Sequence, residues 1–254
     1  MSCATGSKEL ISHTAEFLLK NKPWLVLTGA GVSTESGIPD FRSPGSGLWQ
    51  RYDPMEVLST DTLFRDPETF YRVGFYILRQ FKHARPNLSH YLLAEWEKRG
   101  LVHTLVTQNI DSLHTISGSQ RVLEIHGHLR TAHCMRCEKT VPLDRVEKEV
   151  DGGEIPPKCQ CGGVLRPDVV LFGDLLPSCF EEAMEFARRM PLLVIGSSLQ
   201  VSPANFIPFA AHQVVIVNIG VTPFDARSDY VLNGKASEIL RGLNEEMKKQ
   251  QPTV

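Results

Sequence analysis

Residues 27–43 read "LTGAGVSTESGIPDFRS", and how this stretch is taken decides the fold. The apolar run Trp24-Leu25-Val26-Leu27 leads into it as a buried strand. Gly29-Ala30-Gly31 then falls where the first strand of a dinucleotide-binding fold meets its phosphate-binding turn. The fingerprint of that fold, G-x-G-x-x-G, opens a long helix. Here Thr34 stands at the third glycine, and Gly37-Ile38-Pro39 breaks the chain about one turn later, since proline cannot continue a helix. A short turn followed at once by Asp40-Phe41-Arg42 suits a mobile loop that covers a ligand.

Outward from this turn, further apolar runs occupy residues 101–107, 122–125, 169–172, 192–195 and 214–217. Helical periodicity fills 7–20, 87–98, 180–190 and 236–243. Continuous Val/Ile/Leu runs alternating with helices predict a parallel sheet covered on both faces. Small or hydrogen-bonding residues cluster just after the runs: Gly29, Ala30 and Ser33, then Gln108-Asn109-Ile110-Asp111, His126, Gly196-Ser197-Ser198 and Asn218. In an open parallel sheet, ligands bind outside the carboxyl ends of the strands. One such segment can merely punctuate a turn; five together predict a binding rim.

The rhythm is interrupted twice. Residues 44–87 read as a mostly helical insertion dense in aromatics, and 129–166 carry two cysteine pairs, Cys134-x-x-Cys137 and Cys159-x-Cys161. Four thiolates in two tight knuckles match a tetrahedral zinc ribbon, with Zn–S of about 2.3 Å. With all four positions filled there is no open site for an activated water, so the zinc is expected to be structural. The apolar content between the pairs is low, and a metal supplies roughly 10–16 kcal/mol to such modules. His133 beside Cys134 is a weaker ligand candidate. The expected class is therefore α/β: a Rossmann-like parallel sheet with helices on both faces, plus a small four-cysteine zinc-ribbon module and a helical insertion. Residues 1–43, 88–128 and 167–254 form the nucleotide-binding domain, 44–87 the insertion of the small domain, and 129–166 the zinc-binding module.

At 254 residues, with 42% apolar and 22% charged side chains, the chain is an ordinary globular protein. A net charge of −2 gives no bulk basic field for nucleic acid or an anionic membrane. No apolar run reaches the roughly 18 residues of a membrane span, and the polar N-terminus lacks a signal-peptide core, so a cytoplasmic protein is expected. The oligomeric state is not legible.

Several rim residues have chemistry of their own. His126, in "LEIHGHL", ends a strand at the rim beside Gly127, and imidazole is the side chain suited to proton transfer near neutrality. His128 is expected to point away, and His114 to stabilise its loop. Asn109 and Asp111, one residue apart, present the donor and acceptor that a carboxamide needs; Asp111 capping the following helix is an equally plain reading.

The stretches "GAGVSTESGIPDFRS", "TQNIDSLH", "EIHGHL", the cysteine module, "VVLFGD", "GSSLQVSPA" and "VNIG", in this order, resemble the sirtuins of prokaryotic type, NAD-dependent protein deacylases. The likeness spans roughly residues 8–243. It implies NAD and structural zinc as cofactors and an acylated-lysine protein or peptide as substrate. Gly29 and Ala30 would then cradle phosphates, and Ser33, Asp40, Phe41 and Arg42 would belong to the loop over nicotinamide. Gln108 and Asn109 would hold the reacting ribose, and Ile110 and Asp111 would face the carboxamide. Gly196, Ser197, Ser198, Asn218 and Ala236 would line the phosphates and adenosine. Val169, Val170, Phe172 and Gly173 would pair with the substrate backbone. His126 would be the general base, in a reaction yielding free lysine, nicotinamide and O-acetyl-ADP-ribose. Two departures stand out: Asp174 where the family has Glu, and Thr115-Ile116-Ser117-Gly118 where it tends to carry a basic residue and Ala-Gly.

The acyl preference has two readings. Members that remove succinyl or malonyl groups carry Tyr-x-x-Arg in the insertion, and Tyr76-Ile77-Leu78-Arg79 has that spacing. Counted from Asp66-Pro67, however, Gly74 and Ile77 hold the expected places, which favours a neutral acyl tunnel. Mono-ADP-ribosyl transfer is the alternative within NAD chemistry, and a non-catalytic NAD or acyl-lysine sensor the alternative from a different class. A dehydrogenase is disfavoured by the missing third glycine.

Overall fold

A computed structural model describes residues 3–39 and 53–250. Among them, six parallel strands form one sheet: β1 (Trp24–Thr28), β2 (Val102–Thr107), β3 (Val122–Glu124), β7 (Leu192–Ile195), β8 (Val214–Asn218) and β9 (Tyr230–Asn233). Their order is β3-β2-β1-β7-β8-β9. The order reverses between β1 and β7, which makes that crevice the topological switch point where such sheets bind ligands. β9 has no apolar run to announce it; "YVLN" forms by extending the ladder of β8, with Val215 opposite Tyr230.

The two faces of β1 show why the sheet is buried. Trp24 and Val26 join a core with the helices Cys3–Lys20, Leu88–Lys98 and Ala236–Gln250. Leu25 and Leu27, pointing the other way at a period of two, pack with the helix Cys179–Arg189. The last helix runs well past residue 243, to Gln250.

A second, antiparallel sheet orders β5-β4-β6, with β4 (Gly127–Cys134), β5 (Thr140–Pro142) and β6 (Leu165–Val169). This corrects the strand expected over 169–172 in the parallel sheet. β6 alternates buried and half-buried residues, the pattern of a one-faced strand, and it pairs with β4 instead. Residues 170–172 continue as a strap: the Val170 N–H donates to the His126 carbonyl at 2.9 Å, and the Phe172 N–H to the Leu58 carbonyl at 3.0 Å.

The insertion and the cysteine module share one core. Phe70, Tyr71 and Phe75 pack in the same cluster as Val141, Leu143, Val146 and Leu165, so the module has more apolar support than its own composition suggests. Within the helical insertion, Phe70–Gly74 is wound as a π turn between the helical segments Pro67–Thr69 and Phe75–Arg79. At Gly74 the helix meets the segment 57–58, and a Cβ would overlap the Val57 carbonyl oxygen. Gly74→Ala should therefore lower Tm, although alanine is the better helix former. Overpacking costs about 1–3 kcal/mol, or a drop of roughly 3–10 °C for a domain of this size. Calorimetry that found the variant more stable would contradict the contact.

Candidate active site

One cavity of about 970 Å³ follows the carboxyl rim from β1 to β8 and opens toward the strap. Gly29, Ala30, Gln108, Asn109, Ile110 and His126 line it, together with Gly196, Ser197, Ser198, Asn218 and Ala236. Val169, Val170, Phe172 and Gly173 line its other side. Ser33 and Asp111 lie buried outside that lining; Ser33 bonds to both Asn109 and Asp111. Asp40, Phe41 and Arg42 lie outside the described residues.

The close approach of the two turns at the switch point depends on glycine. The Gly31 N–H donates to the Gly196 carbonyl at 2.8 Å, and a Cβ on Gly29 would sit 2.8 Å from that oxygen. Gly196 itself has φ of +62° with the Gly31-Val32 backbone against it, so no other residue fits there comfortably.

His126 is half-buried with a defined orientation. Its Nδ1 lies 2.9 Å from the Gln108 carbonyl oxygen, which can only accept, so Nδ1 carries the hydrogen and Nε2 is the free base. Burial pushes its pKa below the usual histidine value, against the opposing pull of that hydrogen bond. The ring is thus neutral at pH 7. The Gln108 amide is in turn held, donating to Ser197 Oγ at 2.9 Å.

Beside it, Asn109 Nδ2 donates to the Gly29 carbonyl at 3.2 Å and to Ser33 Oγ at 3.0 Å. The Ser33 hydroxyl donates to Asp111 Oδ2 at 2.7 Å, and the Leu113 N–H to Asp111 Oδ1 at 2.9 Å. Asp111 thus precedes Ser112, the N-cap of the helix Leu113–Ile116, and ties the start of that helix to Ser33. Burial raises its pKa, with the bonds from Leu113 and Ser33 working the other way. Behind this pair lie two buried histidines, His90 and His114, with ring centroids 4.8 Å apart. Sequence reasoning missed His90 altogether, because it sits within an ordinary helix, Leu88–Lys98.

Other residues were not foreseen as site-forming. Leu58 and Leu78 line the cavity from the insertion, yet in sequence they are only core positions. Glu35 lines it too, accepting from the Ser237 hydroxyl at 2.7 Å to bind the first turn to the last helix. Tyr76 is about half exposed, and Arg79 pairs with Asp151 at 2.6 Å; neither lines the cavity. Asp174 pairs with Arg166 and accepts the Leu171 N–H at 2.7 Å, which closes the turn of the strap despite its shorter side chain. Ser117 of the second departure donates to the carbonyls of His114 and His90, at 2.8 and 3.2 Å.

The sulfurs of Cys134, Cys137, Cys159 and Cys161 all lie within 4.8 Å of one another. Cys134–Cys161 at 3.4 Å and Cys137–Cys159 at 3.8 Å are far from bonded disulfides but close to the edge of a zinc tetrahedron, about 3.8 Å for Zn–S near 2.3 Å. The donor set fits structural zinc. His133 pairs with Asp168 at 2.6 Å instead.

Residues 29–203 match the model of the Sir2 family. Among curated relatives, NAD-dependent protein deacetylase 2 of Caldanaerobacter subterraneus subsp. tengcongensis is 51% identical over 239 residues, covering 93% of this chain and 96% of its own. A solved Sir2 structure with p53 peptide and NAD+ superposes with a TM-score of 0.85 at 38% identity, covering 92% of this chain and 97% of the other. Another Sir2 structure, with deacetylated p53 peptide and 3'-O-acetyl ADP ribose, gives 0.88 at 37% identity, covering 93% and 98%.

The burial of His90 holds its pKa at about 4, and His114 lies well below its ordinary value through burial and the neighbouring ring. An unfolded chain takes up protons near pH 6.5, whereas folded His90 does so only near pH 4, so stability falls as pH drops through that window. The stability gap between the native chain and His90→Gln should narrow by about 2 kcal/mol from pH 7.5 to pH 5. Urea unfolding at both values measures it; a gap independent of pH would show that the ring is not held neutral.

Proposed function

The chain belongs to the Sir2 family, and on that premise we propose that it is an NAD-dependent protein lysine deacetylase. The observation that carries this reading is the free Nε2 of a neutral His126, facing the same cavity as the glycine turn and the strap. A cavity of this size holds a dinucleotide with a lysine side chain, within the range of cofactor sites. NAD supplies a ribose carbon that releases nicotinamide and accepts the acyl oxygen. The rest falls to the protein.

His126 takes a ribose hydroxyl proton at Nε2 and, being hydrogen-bonded at Nδ1, keeps its ring turned to the cavity. Asn109 and Gln108 orient the ribose, and Ile110 and Asp111 face the nicotinamide carboxamide. Gly29 and Ala30 hold phosphate, with Gly196, Ser197, Ser198, Asn218 and Ala236 along the phosphates and adenosine; by family likeness alone, Asp40, Phe41 and Arg42 would belong to the cofactor loop. An extended acyl-lysine peptide adds along Val169, Val170, Phe172 and Gly173, largely through backbone contacts. Burial of the rim excludes the water that would otherwise hydrolyse the activated sugar. One water, consumed only after the ribose hydroxyl has added, would release the lysine amine, so that acetyl-lysine, NAD and water give deacetylated lysine, nicotinamide and O-acetyl-ADP-ribose. The reduced cysteine cluster is in keeping with work in the cytoplasm.

The acyl pocket is neutral in this reading. Leu58 and Leu78 line the cavity, whereas the Arg79 charge is spent on Asp151 and the Tyr76 ring.

His126→Ala should abolish formation of acetylated ADP-ribose, by about 10²-fold or more, while NAD affinity measured calorimetrically stays within a few fold. Full turnover by the variant would remove the histidine from the reaction. Arg79→Met should leave deacetylation within about twofold of the native rate; a large fall confined to succinyl-lysine peptides would mean that the arginine reaches the acyl group.

A further inference from the structure

Two buried histidines outside the cavity lining lead, by separate hydrogen-bond paths, to the same residue. The first path starts at the N-cap of the helix Leu88–Lys98. There the Asn87 N–H donates to His90 Nδ1 at 3.2 Å, so a neutral His90 carries its hydrogen on Nε2. That Nε2 faces Ser33 Oγ at 3.5 Å, a long contact whose direction is fixed by the tautomer. The Ser33 hydrogen is already committed to Asp111, so its oxygen is free to accept, from His90 and from the Asn109 amide.

The second path runs through two threonines. Thr28 Oγ1 donates to Thr107 Oγ1 at 2.9 Å, and Thr107 Oγ1 also accepts the Asn109 N–H at 3.1 Å. With the Thr28 hydrogen used, His114 Nε2, 2.9 Å from Thr28 Oγ1, must donate. Its Nδ1 is left as a bare, buried lone pair without a partner among the described residues. One path ends on the Asn109 side chain and the other on its backbone.

We propose that His90 and His114 are positioning residues that act as neutral hydrogen donors, through Ser33 and through the Thr28–Thr107 pair, to fix Asn109 at the cavity wall and Asp111 behind it. The proposal rests on the reading of Asn109 and Asp111 given above. Neither ring touches the reacting atoms. A charged His90 would turn a second hydrogen, on Nδ1, against the Asn87 N–H, and a charged His114 would be a buried cation whose Nδ1–H has no partner among the described residues. Both rings are held below the ordinary histidine range by burial, in agreement with neutral rings. Asp111 and, through it, Glu124 are the charged groups acting on the Ser33 end.

The test separates positioning from folding. In His90→Asn the side-chain oxygen can still accept the Asn87 N–H, but no donor reaches Ser33. In His90→Gln the amide nitrogen reaches the place of Nε2, but the cap is lost. His114→Asn and His114→Gln remove and retain the donor to Thr28 in the same way. The Asn variants should lose about tenfold in kcat/KM for NAD and bind NAD correspondingly more weakly by calorimetry, while Tm changes least for His90→Asn. The Gln variants should recover most of the loss. Nitrogen-15 shifts of both imidazoles in the native chain should show the Nε2–H tautomer from pH 7.5 to pH 5.5. Native kinetics in both Asn variants, equal losses in the Asn and Gln variants, or Nδ1–H tautomers would overturn the proposal. If the native chain made no acetylated ADP-ribose, the deacetylase reading itself would fail, and the two failures are distinguishable.

Discussion

The backbone contact between the turn after β1 and the turn after β7 is the constraint on which the rest depends. Gly31 donates to Gly196 across the switch point, and at both glycines a side chain would collide with the other turn. This brings two strand ends close enough for one set of small residues to face one ligand. It also explains the odd punctuation after the first turn. Because residues 30–36 wind as two short 3₁₀ turns rather than as a long helix, Ser33 turns inward to Asn109 and Asp111. A helix of ordinary length would have carried the following segment away from the rim.

Around that contact the site is built from polar groups that are buried and paired. Desolvation penalises charge, and it pushes the neighbouring groups apart in the expected directions: His126, His90 and His114 toward the neutral imidazole, Asp111 upward but checked by two hydrogen bonds. Neutral imidazoles and a hydrogen-bonded carboxylate allow a dry site to keep its donors aimed without an isolated ion. This pre-arrangement matters most for a reaction in which an activated sugar must meet an acyl oxygen before it meets water.

What could be read from the chain alone was what its local chemistry repeats. Apolar runs ending in small polar residues placed Gly29, Gln108, His126, Gly196 and Asn218 on one rim, and the structure brings them to one cavity. The cysteine spacing foretold the tetrahedral cluster. What escaped depended on tertiary partners. β9 has too little apolar signal by itself and exists as an extension of β8. The segment after residue 165 looked like a sheet strand because Val169 to Phe172 is apolar, but its partner is β4. His90 and Leu78 resemble any helix residue until the fold shows what they face.

The ladder of β4 and β6 connects the two features that the sequence presents as separate. Gly127 pairs with Val169 at one end, and Cys134 with Leu165 at the other. Between these two pairs β6 takes four residue steps, about 13 Å, while β4 takes seven, the surplus absorbed in the irregularity between Gly127 and Ala132. At the histidine end Gly127, with φ of +77°, lies against the Asp168 backbone so closely that a side chain there would force the strands apart. Beyond it the Val170 N–H binds the His126 carbonyl, and the strap departs. Cys134 of the cysteine cluster closes the far end of this ladder, and its near end is where the strap passes His126. The aromatics of the insertion pack on the same ladder from the other side, with the Tyr71 hydroxyl donating to the Leu165 carbonyl. The cysteine cluster and the start of the strap are thus the two ends of one ladder.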